Sequence, residues 1–326
     1  MKKMYIEGLR NGIKKLLIDS DVILIGEDIE EPYGGAFKVS KGLSHEFPNQ
    51  IINMPMSEQG FTGMAIGMSL AGMKPIVEIM FGDFITLIVD QLVNHAAKFS
   101  WMYEKKIHLV VRTPMGGYRG YGATHSQSLE KLLFGLPEIH IVAPSIIEDP
   151  SLLLKTSLNL GKPVLFVENK LDYSSKLLSS IDERYIIVKD QLAFPNYTIF
   201  YDEVESDITL ITYGGLVQKA TEIQKELYMD EEIGIKLIVP SLVSPFDFEN
   251  LYKMVEGDEN IIIVEEGHTP FGWGDTVLSQ LVQLGFKGYI RTIGAKNIVI
   301  GAAKNLEDAV LPDFVIIKKL IIELVG

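Results

Sequence analysis

The chain contains no cysteine, which removes disulfides, thiolate nucleophiles and zinc–thiolate sites together and suits a cytoplasmic protein. No run of about 18 uncharged apolar residues is present, so no membrane span is expected. Positive charge is scarce: 30 Lys and Arg stand against 43 Asp and Glu, for a net charge of −13. With no basic stripe interleaved with aromatics, this balance argues against nucleic acid as a partner. Neither Gly-x-Gly-x-x-Gly opening a helix nor Gly-x-x-x-x-Gly-Lys-Ser/Thr occurs, so the usual phosphate cradles are missing. His45, His95, His108 and His140 are scattered without metal-ligand spacing, and no metal site is expected. The start, Met1-Lys2-Lys3-Met4-Tyr5, lacks the long apolar stretch of a secretory signal. Glu7 and Asp19 weigh against a transit peptide and favour an amphipathic first helix.

What remains is an ordinary globular composition, 47% hydrophobic and 22% charged, over 326 residues, enough for two domains. A mean hydropathy of +0.19 without a membrane span points to buried strands or a large subunit interface. Short apolar runs at 22–26, 75–80, 107–112, 139–143 and 164–167 alternate with helix-period segments near 59–72, 84–103, 127–134 and 149–160. Such alternation predicts an α/β fold with a parallel sheet covered on both faces. The polar stretch 170–206 breaks the pattern and reads as a connection. A second α/β unit follows, with strands at 207–213, 235–239, 260–265 and 289–293 and helices at 215–228, 247–256, 275–284 and 313–324. The expected domains are 1–190 and 191–326.

Ligands of open parallel sheets gather at the carboxyl ends of strands. Here those ends carry Gly26-Glu27-Asp28, Met80-Phe81-Gly82-Asp83-Phe84, Arg112-Thr113-Pro114, Pro144-Ser145 and Glu265-Glu266-Gly267-His268. Two further segments bear on chemistry. Glu58 opens a run whose Gly60, Gly63, Gly67 and Ala71 share one helix face, a smooth stripe suited to close contact with another backbone. Glycine costs about 0.8–1.0 kcal/mol relative to alanine within a helix, so the stripe calls for a compensating contact. An acid at its mouth would have a tunable proton affinity; alternatively Ser57 caps the helix and Glu58 merely sits in a favoured first turn. His125 ends the glycine-rich loop 115–127, where an imidazole could move protons near neutrality, or cap a helix, or pair with Glu130. Phe84 could stack on a flat heterocycle or simply pack in the core. His268 is a lesser site candidate that could instead serve a subunit contact.

Taken together, Gly26-Glu27-Asp28, the run from Gly35 to Leu43, the run from Ser57 to Gly63, Asp90-Gln91 with Asn94 and Ala96-Ala97-Lys98, and His125-Ser126-Gln127 give the first half its character. With Thr212-Tyr213-Gly214, Phe246-Asp247 and Val264-Glu265-Glu266-Gly267 in the second half, the chain resembles the beta subunit of thiamine-diphosphate-dependent 2-oxo acid dehydrogenases. Pyruvate, branched-chain and acetoin systems belong to this family, within the transketolase superfamily. The resemblance covers nearly the whole chain. It implies a transketolase pyrimidine-binding domain followed by a transketolase C-terminal domain. It implies oxidative decarboxylation of a 2-oxo acid with acyl transfer to a lipoyl domain. The glutamate matching Glu58 would hydrogen-bond the aminopyrimidine and favour the imino tautomer that deprotonates the thiazolium carbon. Met80 and Phe84 match residues lining and packing on the aminopyrimidine, and His125 matches a histidine linked to intermediates and acyl transfer.

The Gly-Asp-Gly…Asn pattern that holds magnesium and diphosphate is absent here and belongs to the alpha subunit in that family. The resemblance therefore implies an alpha2-beta2 heterotetramer with cofactor at the alpha–beta interfaces, Mg2+ held by the alpha subunit, and a lipoyl acyltransferase as further partner. The chain departs from the family at Glu30-Glu31-Pro32, which lengthens a loop, and at Tyr118-Arg119-Gly120-Tyr121, where small residues are common. Lys162 occupies a place where relatives with potassium commonly have a neutral polar residue, which counts against potassium. The alternatives are a split transketolase-like enzyme passing its two-carbon unit to an aldehyde, and a non-catalytic partner of the alpha subunit.

Overall fold

The apolar residues of β1 (Val22–Gly26) are all buried, as a strand covered on both faces requires. The computed structural model describes residues 4–326, so the segment Met1-Lys2-Lys3 read for targeting lies outside the described residues. After β1 come β2 (Ile51–Asn53), β3 (Lys74–Glu78), β4 (Leu109–Met115), β5 (His140–Val142) and β6 (Pro163–Asn169). The second half contributes β7 (Tyr185–Lys189), β8 (Asn196–Tyr201), β9 (Ile208–Ile211), β10 (Ile235–Pro240), β11 (Leu242–Ser244), β12 (Asn260–His268) and β13 (Tyr289–Ala295). The first sheet runs β11-β5-β6-β4-β3-β1-β2 and the second β13-β12-β9-β10-β8-β7.

Both sheets have the expected parallel core. Their edges are antiparallel: β11 against β5, β8 against β10, and β7 against β8. The stretch expected to be a bare connection thus forms an antiparallel ribbon, and the second sheet starts at Tyr185, inside the span expected of the first domain. The chain leaves β10 and immediately lays β11 along the first sheet, where Ala143 N–H donates to Ser241 O at 2.9 Å. One hydrophobic core consequently runs through both halves, joining Leu109, Val111 and Leu165 of the first to Ile211, Ile238 and Trp273 of the second.

On the opposite face of the first sheet the helix Tyr5–Leu16 buries Tyr5, Leu9 and Ile13, a four-residue spacing that keeps one stripe inward. The expected helix over 84–103 is instead a 3-10 segment Gly82–Ile88, a π-helical turn Gln91–Ala96 and an α-helical end Ala97–Met102. The first piece starts against β4 so closely that a Cβ on Gly82 would fall on the Met115 side chain. The helix expected over 127–134 shrinks to a 3-10 turn, Glu130–Leu133. Among the described residues no helix is long and apolar enough to cross a membrane.

Candidate active site

The first sheet changes winding direction between β1 and β3: β2 lies on one side of β1, while β3 and β4 follow on the other. A crevice opens at such a reversal, beyond the carboxyl ends of the strands. Glu27 leaves β1 there, the Met80–Phe84 turn leaves β3, and the glycine-rich loop leaves β4.

Glu58 is the first residue of the helix Glu58–Leu70 and is only 8% exposed. Ser57 occupies the cap position without a side-chain cap bond, so its expected capping role is confined to its carbonyl, which accepts from Phe61 N–H at 3.0 Å. Among the described residues the Glu58 carboxylate has no hydrogen-bond partner. Its charge lies close enough to Glu27 to help raise that acid's pKa, an effect second to burial. Among the described residues no element is pressed against the glycine stripe behind Glu58. Gly60, Gly63, Gly67 and Ala71 are exposed, and a Cβ on Gly67 would meet open space. Gly63 and Gly67 line a groove of about 200 Å³ with Ile66, Leu70, Gln91, His95 and Phe99.

His125 is placed differently. It ends the short helix Gly122–His125, and its Nδ1 lies 2.9 Å from Asp83 Oδ1. Phe81 stacks on the imidazole at 4.1 Å and 16°, and Phe84 meets it edge-on at 5.6 Å. The expected alternative pairing with Glu130 does not occur, because Glu130 accepts from Tyr213 OH at 2.7 Å. Phe84 is half-buried and at right angles to Phe81, 6.2 Å away, with Met80 half-buried in the same exit turn. Phe37, from the Gly35–Leu43 run, packs edge-on against Phe81 at 5.7 Å, so aromatic rings wall this side of the crevice.

Beneath the loop lies a set of ionisable groups. Lys170 is fully buried, and burial lowers its pKa to about 8 against the pull of Glu266, Asp83 and Glu307. Its Nζ donates to the His125 carbonyl. Burial raises Glu266 to about 7, although Gly117 N–H and Asn169 Nδ2 donate to it. Burial likewise raises Glu265 to about 7, with Trp273 and Gly274 N–H donating at 2.9 Å. Deeper in the sheet Arg112 is locked between Glu78 and Glu168, with Tyr173 OH donating to Glu168 at 2.5 Å. Asp83 and Lys170 were not singled out from the sequence. Asp83 lay within a strand-end turn already of interest, whereas nothing local marks Lys170.

His268 points away from this group, its Nε2 3.2 Å from Ile298 O. Lys162 is paired with Glu138. Among the described residues no group of three or more His, Cys, Asp or Glu is arranged to hold a metal ion.

Comparison with known proteins decides the family. The model of the transketolase pyrimidine-binding domain matches residues 4–176, and that of the transketolase C-terminal domain matches residues 200–316. The mitochondrial pyruvate dehydrogenase E1 component subunit beta of Saccharomyces cerevisiae is 33% identical, over 94% of this chain and 84% of that protein. The chain belongs to the beta subunits of thiamine-diphosphate-dependent 2-oxo acid dehydrogenases. Within that family it is also 31% identical to the acetoin:2,6-dichlorophenolindophenol oxidoreductase subunit beta of Bacillus subtilis, over 94% of this chain and 92% of that one. The pyruvate dehydrogenase subunit beta of Rickettsia felis is 31% identical over 94% and 93%. A solved split-gene transketolase, described as an inactive beta4 tetramer, has the same fold, with a TM-score of 0.73 at 18% identity over 98% of both chains. The beta-subunit family thus accounts for two fused α/β halves and a crevice at the first sheet's winding reversal.

Proposed function

We propose that this chain provides one side of a thiamine diphosphate site, in an enzyme that oxidatively decarboxylates a 2-oxo acid and passes the acyl group to a lipoyl domain. The observation that carries the reading is Glu58: a carboxylate at a helix start, on a residue only 8% exposed, beside a second acid and, among the described residues, without a hydrogen-bond partner. Its oxygens are not sealed from solvent, so they stay open to the crevice, where a bound group can share a proton with them. An aminopyrimidine supplies such a ring nitrogen, and half-buried Phe84 and Met80 in the neighbouring turn offer an apolar face to the same ring. The residues therefore fit the cofactor. When bound, it supplies the electron sink for decarboxylation.

The chain's own residues have separate roles. Glu58 holds a proton at the pyrimidine nitrogen, where a drier environment strengthens the shared bond. Asp83, bonded to Nδ1, fixes the orientation of the His125 ring and leaves Nε2 for proton transfer to an acyl acceptor. The Phe81 stack keeps the ring from rotating.

The diphosphate and Mg2+ are assigned to an alpha subunit, since this sequence lacks the pattern for them. The open stripe Gly60–Gly63–Gly67 offers a surface on which an alpha-subunit helix could close, supporting an alpha2-beta2 assembly. Potassium is not part of the proposal, because Lys162 with Glu138 already supplies a cation in the region concerned. The cysteine-free composition favours the cytoplasm as compartment. Co-expression with an alpha subunit, followed by a panel of 2-oxo acids with a dye acceptor and then with a lipoyl domain, tests the function. Dye reduction together with lipoyl acylation is the expected result. Transfer to an aldehyde instead would favour the split-transketolase alternative, and no turnover with any 2-oxo acid would contradict the proposal.

A further inference from the structure

The loop that carries His125 has an intrinsically loose backbone. Gly116, Gly120 and Gly122 adopt φ of 92°, 71° and 85°, and Tyr118 adopts 63°. Gly116 must be glycine, since a Cβ would collide with Asn169 and crowd Glu266 Oε1. Such a segment holds one shape only if its polar groups are tied down elsewhere.

The ties come largely from the second half of the chain. Gly117 N–H donates to Glu266 on β12. Gly120 N–H donates to Glu307 Oε2 at 2.8 Å, from the helix Lys304–Asp308. Tyr118 OH donates to Pro312 O at 2.8 Å. From the first half, Arg119 donates to Lys170 O at 2.9 Å, and Lys170 Nζ donates to His125 O. Glu266 and Glu307 are themselves buried, as is Lys170. Their charges face the same ammonium, and Asp83, which holds the imidazole, faces it too. Apolar residues would fill these places at less cost, because buried charge is expensive even when paired. What the carboxylates do, and hydrocarbon could not, is accept the loop's amide protons.

We infer that Glu266 and Glu307, together with Lys170, are positioning residues that hold the His125 loop in its working shape, so that the second domain governs the acyl-transfer step. This rests on the proposed role of His125. Their hydrogen bonds go to the loop's main chain and not to the His125 ring. They act through the loop backbone.

The test uses the assembled alpha–beta enzyme, with free lipoamide as acceptor in one assay and an artificial dye in the other. Glu307→Leu, Glu307→Gln, Lys170→Met and His125→Ala are compared, with the melting temperature of each. Displacing a catalytic group by about 1 Å can cost about a hundredfold, so Glu307→Leu and Lys170→Met should slow lipoamide transfer by at least about tenfold and dye reduction by no more than about twofold. Glu307→Gln keeps an oxygen for Gly120 N–H and should restore transfer to within about twofold of the parent. If His125→Ala slows transfer while Glu307→Leu and Lys170→Met do not, the positioning role is wrong and the His125 role stands. If His125→Ala leaves transfer intact, both fall. Equal slowing by Leu and Gln at position 307 also overturns the inference, because loss of the negative charge, common to both, would then explain it and the bond to Gly120 N–H would not. Should Lys170→Met fail to assemble, the Leu and Gln pair decides.

Discussion

Glu58 and His125 lie on the same edge of the same sheet, yet their surroundings are opposite. His125 is finished within the chain: an acid holds its ring nitrogen, a phenyl ring stacks on it, and a buried lysine holds its carbonyl. Glu58 is unfinished. Among the described residues its carboxylate has no hydrogen-bond partner and stays open to the crevice, near another acid, at the head of a glycine stripe that no described residue covers. A group whose needs are met locally reports a geometry set by its own fold. A group left open to the crevice reports a geometry that can still receive something else. The contrast divides the proposed site into a half built by this chain and a half left open to a cofactor and a partner surface.

The contrast is sharpened most by Glu58→Gln in the assembled enzyme. The amide fills the same space but cannot hold a proton for the pyrimidine nitrogen, so decarboxylation should fall by about 10²–10⁴-fold with assembly preserved. Turnover within about threefold of the parent would remove Glu58 from the chemistry, because positioned acid–base groups contribute far more than that.

His125→Ala should act on the second step. Transfer to lipoamide is expected to drop by about a hundredfold, with a much smaller change in dye-coupled decarboxylation. Parallel losses in both assays with a lower melting temperature would make His125 a structural residue and erase its difference from a helix cap.

A smaller effect concerns stability and pH. Glu265 and Glu266 are raised from 4.5 to about 7, and Asp172, with both oxygens unpartnered, from 3.8 to about 8, in each case chiefly by burial. The folded chain therefore keeps protons that the unfolded chain has released. The associated stability is complete below about pH 4 and is lost as pH rises through about 7 to 8. Lys170, lowered to about 8, works the other way only above that window. Melting should thus weaken between pH 5 and pH 8, by on the order of 2 kcal/mol for one such group. Glu266→Gln should flatten the slope in a calorimetric pH series. An unchanged slope would mean that Glu266 titrates near its ordinary value.

The sequence was most informative where a physical requirement is local. The apolar runs that became β1, β3, β4, β6, β9, β10 and β12 sit in sheet interiors, where nearly every residue is buried and the pattern is unmistakable. The ribbon β7–β8 was hidden because Tyr185–Lys189 lies at a sheet edge with most of its residues facing solvent, and serines and a proline surround it. β11, three residues long, is defined only by pairing with β5 across the halves. The region 84–103 has a helical period, yet it is built as three successive geometries, 3-10, π and α, that share that period closely enough to hide the breaks. In the proposed site, Glu58, Met80, Phe84 and His125 are expectations carried by family motifs. Asp83 was within sight, one residue from Phe84. Lys170, Glu266 and Glu307 owe their importance to contacts between distant segments, such as Gly120 with Glu307, and no local pattern encodes those.

The division of the site is tested most directly by calorimetric titration of thiamine diphosphate and magnesium into the isolated chain and into the chain assembled with its alpha subunit. The account predicts saturable heat from the assembled enzyme and none from the chain alone up to millimolar cofactor. Micromolar binding by the chain alone would contradict it.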